Sequence, residues 1–272
     1  MKKIISGGPS APAHDMHWTL RVAAAMCFLG HGSFGILTKP IWCNYFGVFG
    51  IGHAMAYHLM PVVGVVDIAM GISLLLYPTR AIAGWLIVWG FTTALLRPLS
   101  GEPVAEFIER AGNFGAPLTL LILSGRGAWW SAIGPWPQPD ERCLARVTGC
   151  LRVIITLLLL GHGWLNWSEK GSLLAQYSAL GFSDPVATAH TVGIFEMLAA
   201  LSVLLRPVRS LILVLFLWKM ATELFYPRHE LFEFIERGGS YGCLLALWLA
   251  LEDRGFHVIS NKTLQTTKPA TV

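Results

Sequence analysis

Charged residues are scarce in this chain: Asp, Glu, Lys and Arg together make up 13% of its 272 residues, while apolar residues make up 54%. A soluble domain carries about 25% charged residues, and its core could not bury this much apolar surface. Lipid must therefore form part of the solvent. Lys and Arg lie at the ends of apolar runs and not in a stripe with interleaved aromatic residues, which argues against nucleic acid as a partner.

Several familiar motifs are also missing. The five cysteines form no C-x-x-C pair and lie mostly inside or beside apolar runs, so neither a disulfide framework nor a zinc site is indicated. The sequence has no phosphate loop, dinucleotide fingerprint, H-E-x-x-H or nucleophile elbow. The first eighteen residues lack the apolar stretch of a cleavable signal, so the first apolar run is expected to remain in the membrane as an anchor.

Long apolar runs are what the chain does have. A spanning helix needs about 20 mainly apolar residues, and tight bundles manage with about 17. Eight runs meet this requirement loosely: roughly 19–37, 61–77, 81–96, 103–123, 147–167, 190–205, 210–226 and 230–251. They predict an all-α polytopic membrane protein with an N-terminal tail (1–18), a four-helix unit (19–133, the first half), a linker (134–146), another four-helix unit (147–252, the second half) and a C-terminal tail (253–272).

The two halves match each other in three blocks that keep the same order. The blocks are RVAAAMCFLGHG from Arg21 with RVIITLLLLGHG from Arg152, PVVGVVDIAMGISLLLYPTR from Pro61 with HTVGIFEMLAALSVLLRPVR from His190, and EFIERAGNFG from Glu106 with EFIERGGSYG from Glu233. Such order at nearly constant offset indicates a duplication. Because four is an even number of helices, both units enter the membrane from the same side, which predicts two parallel four-helix bundle repeats.

The distribution of basic residues predicts the orientation. With the N-terminus inside, thirteen Lys and Arg residues fall on the inner side and six on the outer side. The positive-inside rule then places both termini in the cytoplasm and the loops 38–60 and 168–189 outside. The cell membrane, a bacterial inner membrane, is the expected location, and the lipid bilayer is the first partner.

Ionisable residues recur at one depth within the predicted spans. His31 lies about twelve residues into an outward-running helix and Asp67 about six into the next, inward-running one, so both belong to the outer half of the bilayer. Glu106, Glu109 and Arg110 occupy the first two turns of the fourth helix, which also begins outside. The second half repeats the layer and adds two residues; its members are His162, Glu196, Glu233, Glu236, Arg237, Lys219 and Glu223.

Three pairs in these layers are four residues apart and can form ion pairs on one helix face. They are Glu106 with Arg110, Glu233 with Arg237, and Lys219 with Glu223. Each such group costs at least about 2.5 kcal/mol at the centre of a bilayer, so it should face the bundle interior or a wet cavity. Two interpretations stay open: the charges only fix the helix register, or they line functional cavities that open to the outside.

Each histidine stands between two glycines, which lets a backbone or a flat ligand approach closely. Three roles fit the pattern: a neutral imidazole hydrogen-bonded to Asp67 or Glu196, a proton-transferring group beside a quinone headgroup, or an axial ligand of a haem or metal. If both histidines held one haem, both would have to face the axis between the halves. Trp42, Tyr45 and Phe46 are interpreted as interfacial aromatic residues.

Each half resembles the DoxX-like family of small four-helix membrane proteins. The resemblance is carried by G-H-G with a downstream Lys39 or Lys170, the acidic residue of the second helix, the P-T-R or P-V-R turn and the closing EFIER block. It covers nearly all of both halves, although the tandem duplication departs from the usual single unit. The family includes the membrane subunit of a thiosulfate:quinone oxidoreductase, and other members are linked to redox homeostasis, assembly of secreted redox enzymes or chaperone-like roles.

The resemblance and the polar layers together predict a quinone-linked redox subunit that receives electrons from an external redox partner protein. The expected catalytic residues are His31, His162, Asp67, Glu196, Glu109 and Glu236. The residues expected to bind the cofactor are both histidines with Arg110, Arg237, Glu106, Glu233, Lys219 and Glu223. The alternatives are a non-catalytic scaffold or assembly factor, a protein that binds haem or a metal, and, with least support, a transporter.

Overall fold

The computed structural model describes residues 11–224 and 231–251. Within these residues all regular elements are helices, and the only β pairing is an isolated bridge between Thr79 and Ala132. The helices are α1 (Ala11–Ile36), α2 (Trp42–Gly47), α3 (His53–Leu76), α4 (Arg80–Leu99), α5 (Val104–Glu109), α6 (Ala111–Leu123), α7 (Glu141–Trp167), α8 (Gly171–Ala179), α9 (Pro185–Leu205), α10 (Arg209–Leu224), α11 (Leu231–Glu236) and α12 (Gly238–Leu251). The predicted all-α class is confirmed for the described residues.

Four of the helices, α3, α4, α7 and α9, are long and apolar enough to cross a membrane. They correspond to four of the eight predicted spans. Helix α12 is apolar but shorter, and α10 has 16 residues up to Leu224, beyond which the span predicted at 210–226 leaves the described residues. The tail 253–272 and residues 1–10 also lie outside them.

Helices α1, α3, α7 and α9 all begin well before the apolar runs predict, α9 at Pro185 and not at 190. Helix α1 begins at Ala11, inside the segment 1–18, and α3 begins at His53, so Pro61 lies within the helix and not in its first turn. Helix α7 begins at Glu141, inside the segment 134–146, because the Asp140 carboxylate caps it by accepting a 2.7 Å hydrogen bond from the Cys143 amide. Apolar runs mark the part of a helix that faces lipid or core, whereas caps mark where the helix starts.

The fourth predicted span of each half is two helices joined at an arginine. Helices α5 and α6 meet at Arg110, whose φ and ψ are −89° and 15°, and whose amide donates to the Phe107 carbonyl three residues earlier. Helices α11 and α12 meet at the matched residue, Arg237. At Arg110 this tight turn interrupts the regular ladder. The Arg237 amide keeps a bond to the Glu233 carbonyl four residues earlier, and the three-residue step comes next, from the Ser240 amide to the Arg237 carbonyl.

The two halves interlock. Helix α1 packs on α3 of its own half and on α11 of the other, while α7 packs on α9 of its own half and on α5 and α6 of the other. Glycines permit the crossings: a Cβ on Gly30 would overlap the backbone of Glu236, and a Cβ on Gly161 would overlap that of Glu109. A Cβ on Gly112 would lie 2.8 Å from the Ser240 amide nitrogen. Small residues at helix crossings are the usual route to close packing in membranes.

Two matched arginines fasten the first helix of each half to the second long helix of that half. Arg21 donates to the carbonyls of Leu74 (2.8 Å) and Leu75 (2.5 Å) at the end of α3. Arg152 donates to the carbonyls of Val203 (3.2 Å) and Leu204 at the end of α9. The last carbonyls of a helix have no partner within it, so both arginines satisfy groups that would otherwise be exposed to an apolar environment.

Candidate functional site

Two cavities lie beside the two histidines. The first cavity, about 80 Å³, is lined by His31, Trp42 and Trp89 among others. The second cavity, about 350 Å³, is lined by His162, Leu173 and Trp218 among others. These residues are sequence-matched pairs, so the cavities occupy corresponding places in the two halves.

Each histidine is bonded to the acidic residue that the sequence predicts. The His31 Nδ1 lies 2.7 Å from Asp67 Oδ2, and the His162 Nδ1 lies 2.5 Å from Glu196 Oε2. Both carboxylates are fully buried. Because Nδ1 is occupied by the carboxylate, Nε2 is the nitrogen that each imidazole has left for a ligand, as in other carboxylate–histidine pairs.

The second neighbours of the two carboxylates differ. In the first half the Trp89 indole donates to Asp67 Oδ1 at 2.7 Å, and the Trp42 ring lies over His31 with its centroid 4.6 Å from the imidazole centroid. In the second half the Lys219 ammonium, 1% exposed, lies 3.9 Å from Glu196 Oε1.

A polar chain also supports His162 from the side of its own helix. The Asn166 amide donates to the His162 carbonyl at 3.1 Å, and the Tyr177 hydroxyl donates to Asn166 Oδ1 at 2.7 Å. Tyr177 lines the second cavity. The chain therefore links the cavity wall to the helix that carries the histidine.

An ion-pair network joins the breaks in the two closing spans. Arg110 Nη1 donates to Glu106 Oε2 at 2.7 Å and to Glu109 Oε2 at 3.2 Å. Glu109 also accepts a hydrogen bond from Arg237, whose Nε lies 3.3 Å from Glu223 Oε2. Two arginines at helix breaks thus hold three buried carboxylates, which is how charges become tolerable away from water.

Ion pairs also join the loops 38–60 and 168–189 to the opposite half. Lys39 of the first half bonds Glu233 of the second at 2.9 Å, and Lys170 of the second half bonds Glu106 of the first. Together with Arg237 and Glu109, they connect the halves through three pairs. The sequence predicts a separate cluster for each half; the clusters instead share their members because the closing helices cross to the other half.

The cavities share members in the same way. Glu236 of the second half lines the first cavity with His31, and Glu109 of the first half lines the second cavity with His162. All twelve residues predicted for the site lie in these cavities or in the network around them. Their placement is shown; their catalytic and binding roles remain predictions.

Of the three predicted ion pairs on single helices, Glu106 with Arg110 is confirmed. The prediction for Lys219 with Glu223 is wrong, because Lys219 turns to Glu196 and Glu223 to Arg237. In a packed bundle, a charged residue can pair with a residue on a neighbouring helix in preference to one four residues away on its own helix. Glu233 with Arg237 stays a prediction.

The residues that sequence reasoning missed lie on α2 and α8, inside the predicted outer loops. Trp42 and Tyr45 are buried and line the first cavity, so their interpretation as interfacial residues is wrong. Burial raises the pKa of the Tyr45 hydroxyl, which stays protonated and donates to Glu102 Oε1 at 2.5 Å. The sequence contains a signal that could have identified these residues. Counted from G-H-G in each half, Trp42 stands at the same position as Leu173, and Tyr45 at the same position as Gln176.

The geometry gives no support to a metal or haem shared by the two histidines. Among the residues that the structure describes, no group of three or more His, Cys, Asp or Glu side chains is placed to hold a metal ion. His31 and His162 line different cavities, and each already bonds a carboxylate.

The second cavity combines a polar end with apolar walls. His162, Glu109 and Arg237 form the polar end, and the walls include Leu180 and Phe182. Cavities of this kind suit a molecule with a polar head and an apolar body. Comparison with family models, curated proteins and solved structures finds no match to this chain.

Proposed function

We propose that the chain is a multi-pass protein of the bacterial inner membrane, with eight spans in two parallel repeats and both termini in the cytoplasm. Four apolar helices of spanning length support the membrane location. The matched arginine contacts of Arg21 and Arg152 and the matched histidine–acid pairs support the repeats. The excess of basic residues on one side supports the orientation.

We further propose that it is a quinone-linked redox protein whose cavities open to the non-cytoplasmic side. The observation that carries the proposal is the second cavity, where a buried histidine–carboxylate pair meets a space with apolar walls. The resemblance to a family that includes the membrane subunit of a thiosulfate:quinone oxidoreductase points to the same chemistry. A bound quinone would take two electrons from an external redox partner protein and two protons, becoming a hydroquinone.

The residues of the second cavity fit that chemistry. Glu196 holds the His162 imidazole through Nδ1, which leaves Nε2 to give a proton to, or take one from, a ring oxygen. Arg237 pairs with Glu109 and Glu223, and Lys170 supplies a second positive charge in the cavity wall, so the two carboxylates are balanced by two cations. Leu173 and Leu180 exclude water from the ring. His31, Asp67 and Glu236 are arranged in the corresponding way around the first cavity.

Copurification tests the proposal. Protein purified in a mild detergent is extracted with organic solvent, and the quinone in the extract is measured by chromatography. We expect the wild type to retain quinone. The His31→Gln, His162→Gln double variant should retain about tenfold less quinone or lower still, because neither position then carries an imidazole. Trp130→Ala, at a side chain 82% exposed, is the matched control. Equal quinone in all three proteins would contradict a role for the histidines.

A second candidate function, a non-catalytic scaffold or assembly factor, is favoured by the ion pairs that join the halves. Exchanging the charges of one pair, Lys39→Glu with Glu233→Lys, tests it. A scaffold should lose function in each single variant and regain it in the double variant in parallel with thermal stability. Recovery of stability without recovery of function would argue for the redox role.

A further inference from the structure

The two matched cavities differ more than fourfold in volume, about 350 Å³ against about 80 Å³. Binding cavities for drug-sized ligands measure about 300–1,000 Å³, a range that includes the second of these two cavities but not the first. The difference has an identifiable cause in the sequence. Trp42 and Phe49 line the first cavity, and the residues matched to them in the second are Leu173 and Leu180.

The packing of the third long helix also closes the first cavity. A Cβ on Gly90 of α4 would lie 3.1 Å from the Asn113 carbonyl oxygen of α6, so these helices approach closely. The residue of α10 matched to Gly90 is Lys219, whose long side chain reaches Glu196. The first half therefore has little space beside His31, which the Trp42 ring already covers.

A separate observation concerns polar groups. Asn166, Tyr177 and Glu223 of the second half stand where the first half has Gly35, Phe46 and Ala94. All three lie around His162: Asn166 bonds its carbonyl, Tyr177 bonds Asn166, and Glu223 lies in the cavity wall. Burying a polar group costs free energy unless it gains partners. The first cavity has polar residues of its own, such as Tyr45, Arg97 and Asn113, but none of these three added groups, so the polar surroundings of His162 differ from those of His31.

We infer that the halves have divided their roles: the His162 cavity binds one single-ring quinone or hydroquinone per chain, and the His31 cavity is a filled, structural counterpart. The inference rests on the quinone function proposed above and restricts it to one site. His162, with Glu196 behind it, is then the proton-exchanging residue. His31 and Asp67 hold α1 against α3 and face no ligand.

Stoichiometry and two reciprocal substitutions test the inference. The full chain is reconstituted in lipid nanodiscs free of quinone and titrated with decylubiquinone and, separately, with its reduced form, using equilibrium dialysis. We expect one site per chain in the wild type. Leu173→Trp introduces into the second cavity the residue that fills the first, and we expect it to weaken binding about tenfold or more. The reciprocal Trp42→Leu should leave the dissociation constant within about threefold.

Three further variants protect the test against misfolding. Leu180→Phe makes a smaller change of the same kind, copied from Phe49, and should weaken binding while the melting temperature stays near that of the wild type. His162→Gln should weaken binding of the reduced form more than His31→Gln does. Two equal sites in the wild type, or loss of binding in Trp42→Leu with retention in Leu173→Trp, would overturn the inference while leaving the quinone function intact. No binding of either form by the wild type would overturn both.

Discussion

The block E-F-I-E-R occurs twice, yet its second glutamate has different surroundings in the two halves. Glu109 is 3% exposed and bonds both Arg110 and Arg237. Glu236 is partly exposed, lines the first cavity, and forms no ion pair within the described residues. Identical residues at matched positions therefore do not make identical sites.

The cause of the difference lies outside the block. Arg237 is drawn between Glu109 and Glu223, whereas the position matched to Glu223 in the first half is Ala94. Arg110 is instead held by Glu106 and Glu109 of its own half. Because each charge in a buried network depends on every other, one added carboxylate on α10 changes the pairing of residues from both halves.

Removing one charge from each matched position should give the largest contrast. Glu109→Gln leaves two partly buried arginines, Arg110 and Arg237, each short of one partner, and we expect it to lower the free energy of unfolding by about 3–5 kcal/mol. Glu236→Gln should lower it by less than about 1 kcal/mol, because that carboxylate has no ion pair to lose. Unfolding by sodium dodecyl sulfate in mixed micelles measures both. Equal losses would show that the two carboxylates are equivalent after all.

Substitutions at the matched glycines of the helix crossings should have similar effects in the two halves, unlike substitutions at the matched glutamates. Gly161→Ala and Gly30→Ala each force a methyl group into the backbone of the facing helix. We expect each to cost about 1–3 kcal/mol of the free energy of unfolding. Gly149→Ala on the same helix as Gly161 meets nothing within 4 Å and should instead gain about 0.5–1 kcal/mol, since alanine favours the helix. Thermal unfolding in nanodiscs distinguishes the three variants.

The two lysines that connect the halves should differ modestly. Lys170 is paired with Glu106, which is 3% exposed, whereas Lys39 is paired with Glu233, which is 19% exposed. We expect Lys170→Met to cost about 1 kcal/mol of the free energy of unfolding and Lys39→Met about 0.5 kcal/mol or less. Melting temperatures at low and high salt check the order, and added salt should weaken the Lys39 pair more. A larger loss in Lys39→Met would contradict it.

The smallest effect is expected at Lys219, which has no counterpart in the first half. Its buried ammonium forms no hydrogen bond and lies 3.9 Å from Glu196, which keeps His162 as a partner. We expect Lys219→Met to change the free energy of unfolding by less than about 1 kcal/mol, in the stabilising direction, because an apolar side chain of similar length costs no charge desolvation. Leu217→Met, at a side chain 57% exposed, is the control. A loss above 2 kcal/mol, about the cost of an unpaired buried charge, would contradict it.

The histidine–acid pairs were predictable because they follow from spacing along consecutive helices. Counting residues from the ends of two adjoining spans places His31 opposite Asp67, and the structure joins them at 2.7 Å. The partners of Glu109 were not predictable in this way. The four-residue spacing does not predict that Arg237, in the other half, bonds Glu109. That contact depends on which helices cross at Gly161.

Helices α2 and α8 escaped sequence reasoning for a different reason. They have six and nine residues, too few to show an apolar period, and they lie in segments whose aromatic residues resemble a membrane interface. Their burial is decided by the space left between longer helices. Extending the match between halves into these loops, residue by residue, would have exposed Trp42 and Leu173 as corresponding positions.

The crossing of α11 and α12 onto α1 has a consequence for how the chain is made. Helix α1 leaves the ribosome before α2 to α10, and the neighbour that covers its Gly30 face is made only after them. The glycine surface of α1 must therefore stay uncovered while the intervening helices are made. Contacts between such distant segments slow folding, so a copy truncated before α11 leaves that surface exposed.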